Sequence, residues 1–245
     1  MNWAAPTASE LYHANDVSWP PVEMRRCGPF MIRKGGGGGQ RVSSTSLVDK
    51  DFLISDIEVA EQATVALRQP LLFMIRDNDQ KLDVALEARG YFIKDPVTLL
   101  AGPSARLAEY DPKGLAAIDA PEPLAIMTEI WAAGGITEGR MDVMRRAANP
   151  KVCFLGRIED QPAGVAYLAC DGNIAMMHAF EILPDKRRKG LARSMMGAMG
   201  AWSARNGAGT ISLVVLSSNK AAIDLYRSIG MVEVGAYHYR KKDVT

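Results

Sequence analysis

The spacing of apolar residues along the chain changes period several times, and each period assigns an element. Leu191, Met195, Met199 and Trp202 recur at i, i+4, i+8 and i+11, one stripe of a helix predicted over 188–206. Ala222, Leu225, Tyr226 and Ile229 form a second such face over 219–229, with Asn219 at the cap and Gly230 closing the helix. Between them, 211–216 is an unbroken apolar run, the pattern of a strand covered on both faces. Upstream, 124–133 and 140–148 read as helices. Segments 152–158 and 163–169 read as hairpin strands turned at Asp160 and Gln161, 173–183 as a third strand, and 231–241 as the last.

The first half follows a shorter plan. Residues 1–26 read as a helix and a Pro-containing connection, and 30–34 and 40–46 as strands joined by the glycine run 35–39. A helix over 57–68 is stopped by Pro70; a strand over 71–76 leads to a helix over 80–89 closed by a left-handed Gly90, and 91–101 returns extended. Segment 102–123 is rich in Pro, Gly and Asp, and a domain boundary is expected near Glu109. The fold class is α/β with a mixed sheet. Strand, helix ending in Arg-Gly-Tyr, strand in the first half matches strand, helix ending in Ile-Gly-Met, strand in the second. This order suggests two related halves, at an identity too low for a sequence repeat.

Composition narrows the function. The chain has 245 residues, 48% hydrophobic and 23% charged, enough for a core without staples. A net charge of +1 gives no global field toward nucleic acid or a membrane. Cys27, Cys153 and Cys170 are far apart and lack metal-ligand spacing, so reduced thiols, no metal and a cytoplasmic location are expected. The N-terminus lacks the pattern of a signal peptide, and the apolar runs are too short to span a bilayer. The glycine run 35–39 follows Arg33 and Lys34, yet no Gly-Lys-Ser/Thr follows, which rejects a phosphate loop of the Walker type and favours a flexible hairpin turn.

The candidate chemistry lies in the second half. Pro184-Asp-Lys-Arg-Arg-Lys-Gly-Leu-Ala-Arg193 follows a strand and opens a helix. Unpaired amides and the positive dipole end at a helix start bind phosphate. Gly190 admits a close ligand, Ala192 leaves the first turn uncrowded, and Arg187, Arg188, Lys189 and Arg193 supply charge. The alternative is a solvated basic helix start. The Met-bearing stripe behind it reads as core, which would fix the helix on the sheet. Tyr226 is amphipathic and reads either as a packed ring or as a hydroxyl reaching a cleft.

Arg187-x-x-Gly190-x-Ala192 resembles the acyl-CoA pyrophosphate loop of the GNAT superfamily of N-acetyltransferases, and Asn219-x-x-Ala222-x-x-Leu225-Tyr226-x-x-x-Gly230-Met231 resembles its second motif. The resemblance covers about 130 residues, with Ala192 replacing a glycine and Met231 a phenylalanine. It implies a GNAT fold, acetyl-CoA as cosubstrate and a small-molecule or peptide amine as acceptor. It further implies that the strand through Phe180 and Ile182 splays from 211–216 to admit the pantetheine arm, paired near Ile182. The pyrophosphate then sits on the amides of Arg188, Lys189, Gly190, Leu191 and Ala192, Asn219 contacts the arm, and Tyr226 protonates the leaving thiolate.

The amine must also lose a proton. His178 matches a histidine position of the arylalkylamine acetyltransferases. Strand alternation puts it on one face with Phe180 and Ile182, and Glu181, on the opposite face, is the second candidate. The resemblance implies a tandem protein with a degenerate half at 1–108, lacking the loop and walling the cleft, and a catalytic half at 109–245, as a monomer or homodimer. The competing readings are a non-catalytic acyl-CoA-binding module and a nucleic-acid binder using the basic segments; near-zero net charge and missing surface aromatics count against the latter.

Overall fold

A computed structural model describes residues 3–110 and 115–243. Its helices are α1 (Ala8–Ser18), α2 (Ile54–Ala66), α3 (Gln80–Ala88), α4 (Ser104–Ala108), α5 (Ala125–Ala133), α6 (Glu138–Arg146), α7 (Leu191–Arg205) and α8 (Lys220–Ser228). Its strands are β1 (Glu23–Cys27), β2 (Phe30–Lys34), β3 (Thr45–Leu47), β4 (Leu71–Arg76), β5 (Phe92–Pro103), β6 (Leu115–Ala120), β7 (Lys151–Ile158), β8 (Gln161–Asp171), β9 (Ile174–Ile182), β10 (Thr210–Leu216) and β11 (Val232–Lys242). All eleven join one mixed sheet in the order β1-β2-β3-β4-β11-β5-β10-β9-β8-β7-β6.

The order shows that the halves exchange their last strands. β5 leaves the first half to pair antiparallel with β10, and β11 leaves the second to pair antiparallel with β4. β5 and β11 then pair with each other at the centre. The sheet therefore runs unbroken through both halves, each related in element order to the other.

Alternation across β7 divides the flanking layers. Val152 and Phe154 pack toward α7, whose Leu191, Met195, Met199 and Trp202 are all buried there, as their spacing predicts. Cys153 and Leu155 pack on the other face against Met127, Trp131, Met141 and Met144 of α5 and α6. On that same face α1 lies across β8, β9 and β11, so a helix of the first half covers strands of the second. Arg33, 1% exposed, anchors it: its guanidinium donates to both carboxylate oxygens of Asp16, at 3.1 and 2.6 Å, and to Ser46 Oγ. This structural pairing accounts for the arginine that precedes the glycine run.

Several local expectations are corrected. The strand expected over 40–46 is a 3-10 turn, Gln40–Val42, followed by the short β3, because Gln40 and Arg41 turn to bond Asp95 of β5 and His178 of β9. Consequently 35–39 is part of a longer excursion and not a hairpin turn; the true first hairpin is β1–β2, turned at Gly28 and Pro29. The segment read as a connection, 102–123, contains the end of β5, α4 and β6, while its residues 111–114 lie outside the described ones. α4 packs on α7, where a side chain at Gly200 would come within 2.6 Å of the Ala108 amide. The β7–β8 turn lies one residue earlier than expected, at Glu159 and Asp160, both with positive φ.

Candidate active site

The parallel pairing of β10 with β9 runs from Thr210↔Ile174 to Leu213↔Met177 and then stops. Beyond it the strands part, and Val215 and Leu216 grow progressively exposed. A cavity of about 1360 Å³ opens at the fork, lined by the end of β9, the loop before α7, the face of α8 and the turn at 38–41. The splay expected of this strand pair is present.

The loop begins with a 3-10 turn, Pro184–Lys186, and the helix starts at Leu191, three residues later than the apolar pattern indicates. Arg188 (φ 63°) and Gly190 (φ 85°) are both left-handed, which curls the loop into a concave run of amides. Gly190 caps α7 with no side-chain bond, and the first backbone bond of the helix is Ser194 N–H to Gly190 O, so the preceding amides stay available. Arg188 and Lys189 are exposed at this curl. Arg193 donates to Ser228 Oγ at 3.1 Å and lies over the Tyr110 ring. Arg187 turns back instead: Nε donates to Ile182 O and Nη2 to Glu181 Oε1, both at 3.0 Å. The curl, its cations and the edge of β9 that β10 leaves unpaired beyond Met177 suit an elongated polyanionic thioester such as an acyl-CoA.

Across the fork, Asn219 caps α8, its Oδ1 accepting from the Ala222 amide at 3.2 Å, as predicted. Two turns on, Tyr226 is 6% exposed, with its ring in the α7-side core. Its hydroxyl makes no hydrogen bond within the described residues and borders the cavity. Burial raises its pKa well above the ordinary phenol value, which keeps the proton in place at neutral pH.

β9 itself carries a correction. Ala179 has a φ of 49°, and the register against β8 shifts from Tyr167↔His178 to Val165↔Glu181. This bulge inserts one residue and reverses the faces. Phe180 and Ile182 pack toward α7, whereas His178 lies on the α1 side with Tyr167 and Trp19. The expectation that His178 shares a face with Phe180 and Ile182, and that Glu181 opposes it, fails because alternation assumes a strand without a bulge.

His178 is 4% exposed with both ring nitrogens engaged. Ser18 spends its only proton on Ala14 O at 2.6 Å, so Nε2–H of His178 donates to Ser18 Oγ at 2.8 Å. Nδ1 accepts from Arg41 Nη1 at 2.8 Å. Burial, then the Arg41 charge, hold its pKa well below the usual histidine value. The ring is neutral and offers the cavity no free lone pair. Glu181, on the cavity wall, keeps one carboxylate oxygen beyond its bond to Arg187.

Sequence reasoning missed Ser18, Trp19, Arg41 and Arg140, all of which reach the site from elements distant in the chain. The only local signal was the glycine run preceding Arg41. Among the described residues no group of three or more His, Cys, Asp or Glu could hold a metal ion, and no helix is long and apolar enough to cross a membrane. Cys153 and Cys170 are buried, and burial pushes their thiols up to about 12 and about 11.

The model of the Acetyltransferase (GNAT) family matches residues 123–231. No curated protein matches the chain. Among solved structures, a GCN5-related N-acetyltransferase from Kribbella flavida superposes with a TM-score of 0.76 at 18% identity, covering 99% of this chain and 98% of that one. A functionally unknown conserved protein from Staphylococcus epidermidis ATCC 12228 gives 0.73 at 14% identity, covering 94% and 97%. A tandem GNAT protein from the clavulanic acid biosynthesis pathway gives 0.61 at 11% identity, covering 98% and 89%. At these identities the structures speak for the fold, and the family match speaks for the domain. The chain carries an acyltransferase domain of the GNAT family at residues 123–231, within a tandem arrangement of two halves with the GNAT fold.

Proposed function

We propose that the protein is an N-acetyltransferase that moves the acetyl group of acetyl-CoA to a primary amine by direct attack. The observation that carries this reading is the juxtaposition, across one cavity, of the left-handed loop at Arg188 and Gly190 with the Tyr226 hydroxyl, which has no hydrogen-bond partner among the described residues. In this reading the amides of Arg188, Lys189, Gly190, Leu191 and Ala192 hold the pyrophosphate, with the exposed Arg188 and Lys189 side chains and Arg193 beside it, while Arg187 braces Ile182 and Glu181. Phe180, Ile182 and Asn219 line the arm. Acetyl-CoA supplies a thioester whose thiol is the leaving group.

Tyr226 holds a proton at the end of the arm and gives it to the departing sulfur. A free alkylamine of pKa ~10.4 stands roughly 4.6 kcal/mol from its neutral form at pH 7, so a proton acceptor is needed. Glu181 fits that role better than His178, whose nitrogens are both spent on Ser18 and Arg41. His178 instead positions Arg41. We further assign residues 1–108 as a degenerate half and 109–245 as the catalytic one. In the first half Leu86 stands where α8 carries Tyr226, and the residues before α2 are Asp49-Lys50-Asp51-Phe52, without an Arg-x-x-Gly-x-Ala loop.

The test is thiol release from acetyl-CoA against a panel of primary amines. Amine-dependent release supports the transferase reading. Acetyl-CoA binding with no release for any amine supports the non-catalytic acyl-CoA-binding module instead.

A further inference from the structure

The glycine run acquires a use once its position in the fold is clear. It folds against the start of α6 so closely that a side chain at Gly139 would fall 2.9 Å from Gly37 Cα. At Gly39 an added Cβ would lie 3.3 Å from Arg140 Nε. The run thereby lets the turn Gln40–Val42 of the first half meet α6 of the second, and it brings two arginines, Arg41 and Arg140, into one wall of the cavity.

Neither arginine is neutralised. No carboxylate lies within ion-pair distance of either among the described residues. Arg41 is spent on neutral His178 and on the Trp19 face, 5.8 Å from the ring centre. The Arg140 guanidinium makes no hydrogen bond within the described residues. Burial, then the charge of Arg41, depress the pKa of Arg140, so the two guanidinium groups feel each other. Asp95 and Glu181, which also line the cavity, bond Gln40 Nε2 at 2.8 Å and Arg187 Nη2 at 3.0 Å, and neither is within ion-pair distance of Arg41 or Arg140. Two half-buried, mutually repelling guanidinium groups are a net cost unless an anion bridges them, and their forked geometry suits a planar or tetrahedral oxyanion.

The anion is not the pyrophosphate of the acyl donor. Arg41 is fixed to His178, which faces Tyr167 of β8 while Ile182 faces Gly164, three ladder positions or roughly 10 Å along the sheet. It also approaches on the α1 face, whereas Phe180, Ile182 and the loop before α7 are on the other. We infer that the Arg41–Arg140 pair binds a carboxylate or phosphate of the acceptor, so that the acceptor is an amine that also carries an anionic group. This inference rests on the acetyltransferase reading.

The experiment uses the full chain, acetyl-CoA and matched acceptors: amino acids, the same amino acids as carboxamides, and aminoalkyl phosphates. The expected result is that kcat/KM favours a carboxylate or a phosphate over its uncharged counterpart by tenfold or more, the preferred series telling which oxyanion is read. Arg140→Gln should raise KM for that acceptor by roughly 10–100-fold, as expected for a lost charge-assisted bond, and Arg140→Lys by less. KM for acetyl-CoA should stay within about twofold in both. Arg140 is half-exposed, so these variants avoid the folding risk of Arg41→Gln. Equal use of carboxamides, or an unchanged acceptor KM in Arg140→Gln, overturns the inference and leaves the transferase reading standing. Failure to bind or turn over acetyl-CoA overturns both.

Discussion

Val97 and Tyr237 stand opposite each other where β5 and β11 pair, and they are counterparts in the two halves, 140 positions apart. The same offset relates the flanking pairs: Val97 faces Leu216 on β10, and Tyr237 faces Arg76 on β4. An approximate twofold axis therefore passes through this pair. Only one of the two forks it relates has a basic loop and a tyrosine. The other places Asp79 where α8 has Asn219 and Leu86 where it has Tyr226.

Acetyl-CoA should accordingly bind once per chain. Calorimetry on the intact protein is expected to give a stoichiometry of one, and Gly190→Asp should abolish binding while circular dichroism remains native. The substitution places a charged Cβ-bearing residue at φ 85° in the loop proposed to hold the pyrophosphate. Two sites per chain, or unchanged affinity in the variant, would contradict the assignment of the loop.

Asp16→Ala should destabilise the protein by about 3–5 kcal/mol in urea unfolding, because it leaves Arg33 charged, buried and unpaired. The pair also fixes α1, which delivers Ser18 and Trp19 to His178. A loss below about 1 kcal/mol would show that solvent reaches Arg33.

Stability should fall as pH drops below about 6.5, the unfolded histidine value. The folded pKa of His178 is lower, so between the two values the unfolded chain binds the extra proton. Stability from this group is present above pH 6.5 and is lost as pH falls toward the folded pKa. His178→Gln should flatten the melting temperature between pH 7.5 and 5.5 relative to the parent. Parallel curves would assign the acid sensitivity elsewhere.

The elements that build the fork were legible because their patterns are local. The unbroken run of β10, the cap at Asn219 and the stripe from Leu191 to Trp202 each depend on neighbours in sequence. The bulge at Ala179 was not legible, since nothing in Met177-His-Ala-Phe-Glu-Ile182 distinguishes a bulged strand from a regular one. β1 escaped notice because it is an edge strand, with Glu23, Met24, Arg25 and Arg26 all exposed and no alternation to read. Strand exchange was invisible because the apolar positions of β5 and β11 require a covered strand but do not specify its partner. The arginine pair is a product of long-range packing, Arg41 and Arg140 meeting only through the close approach of two glycine-bearing segments.

The central claim is that Tyr226 protonates the departing thiol. Tyr226→Phe keeps the ring in its core position and removes a hydroxyl that has no partner among the described residues, so folding should be little affected. Single-turnover transfer from acetyl-CoA measures the chemical step without interference from product release. The predicted result is a rate reduced by roughly 10²–10⁴ with the affinity for acetyl-CoA changed by less than about threefold, since the hydroxyl acts in the transition state. A single-turnover rate equal to the parent's would contradict the account.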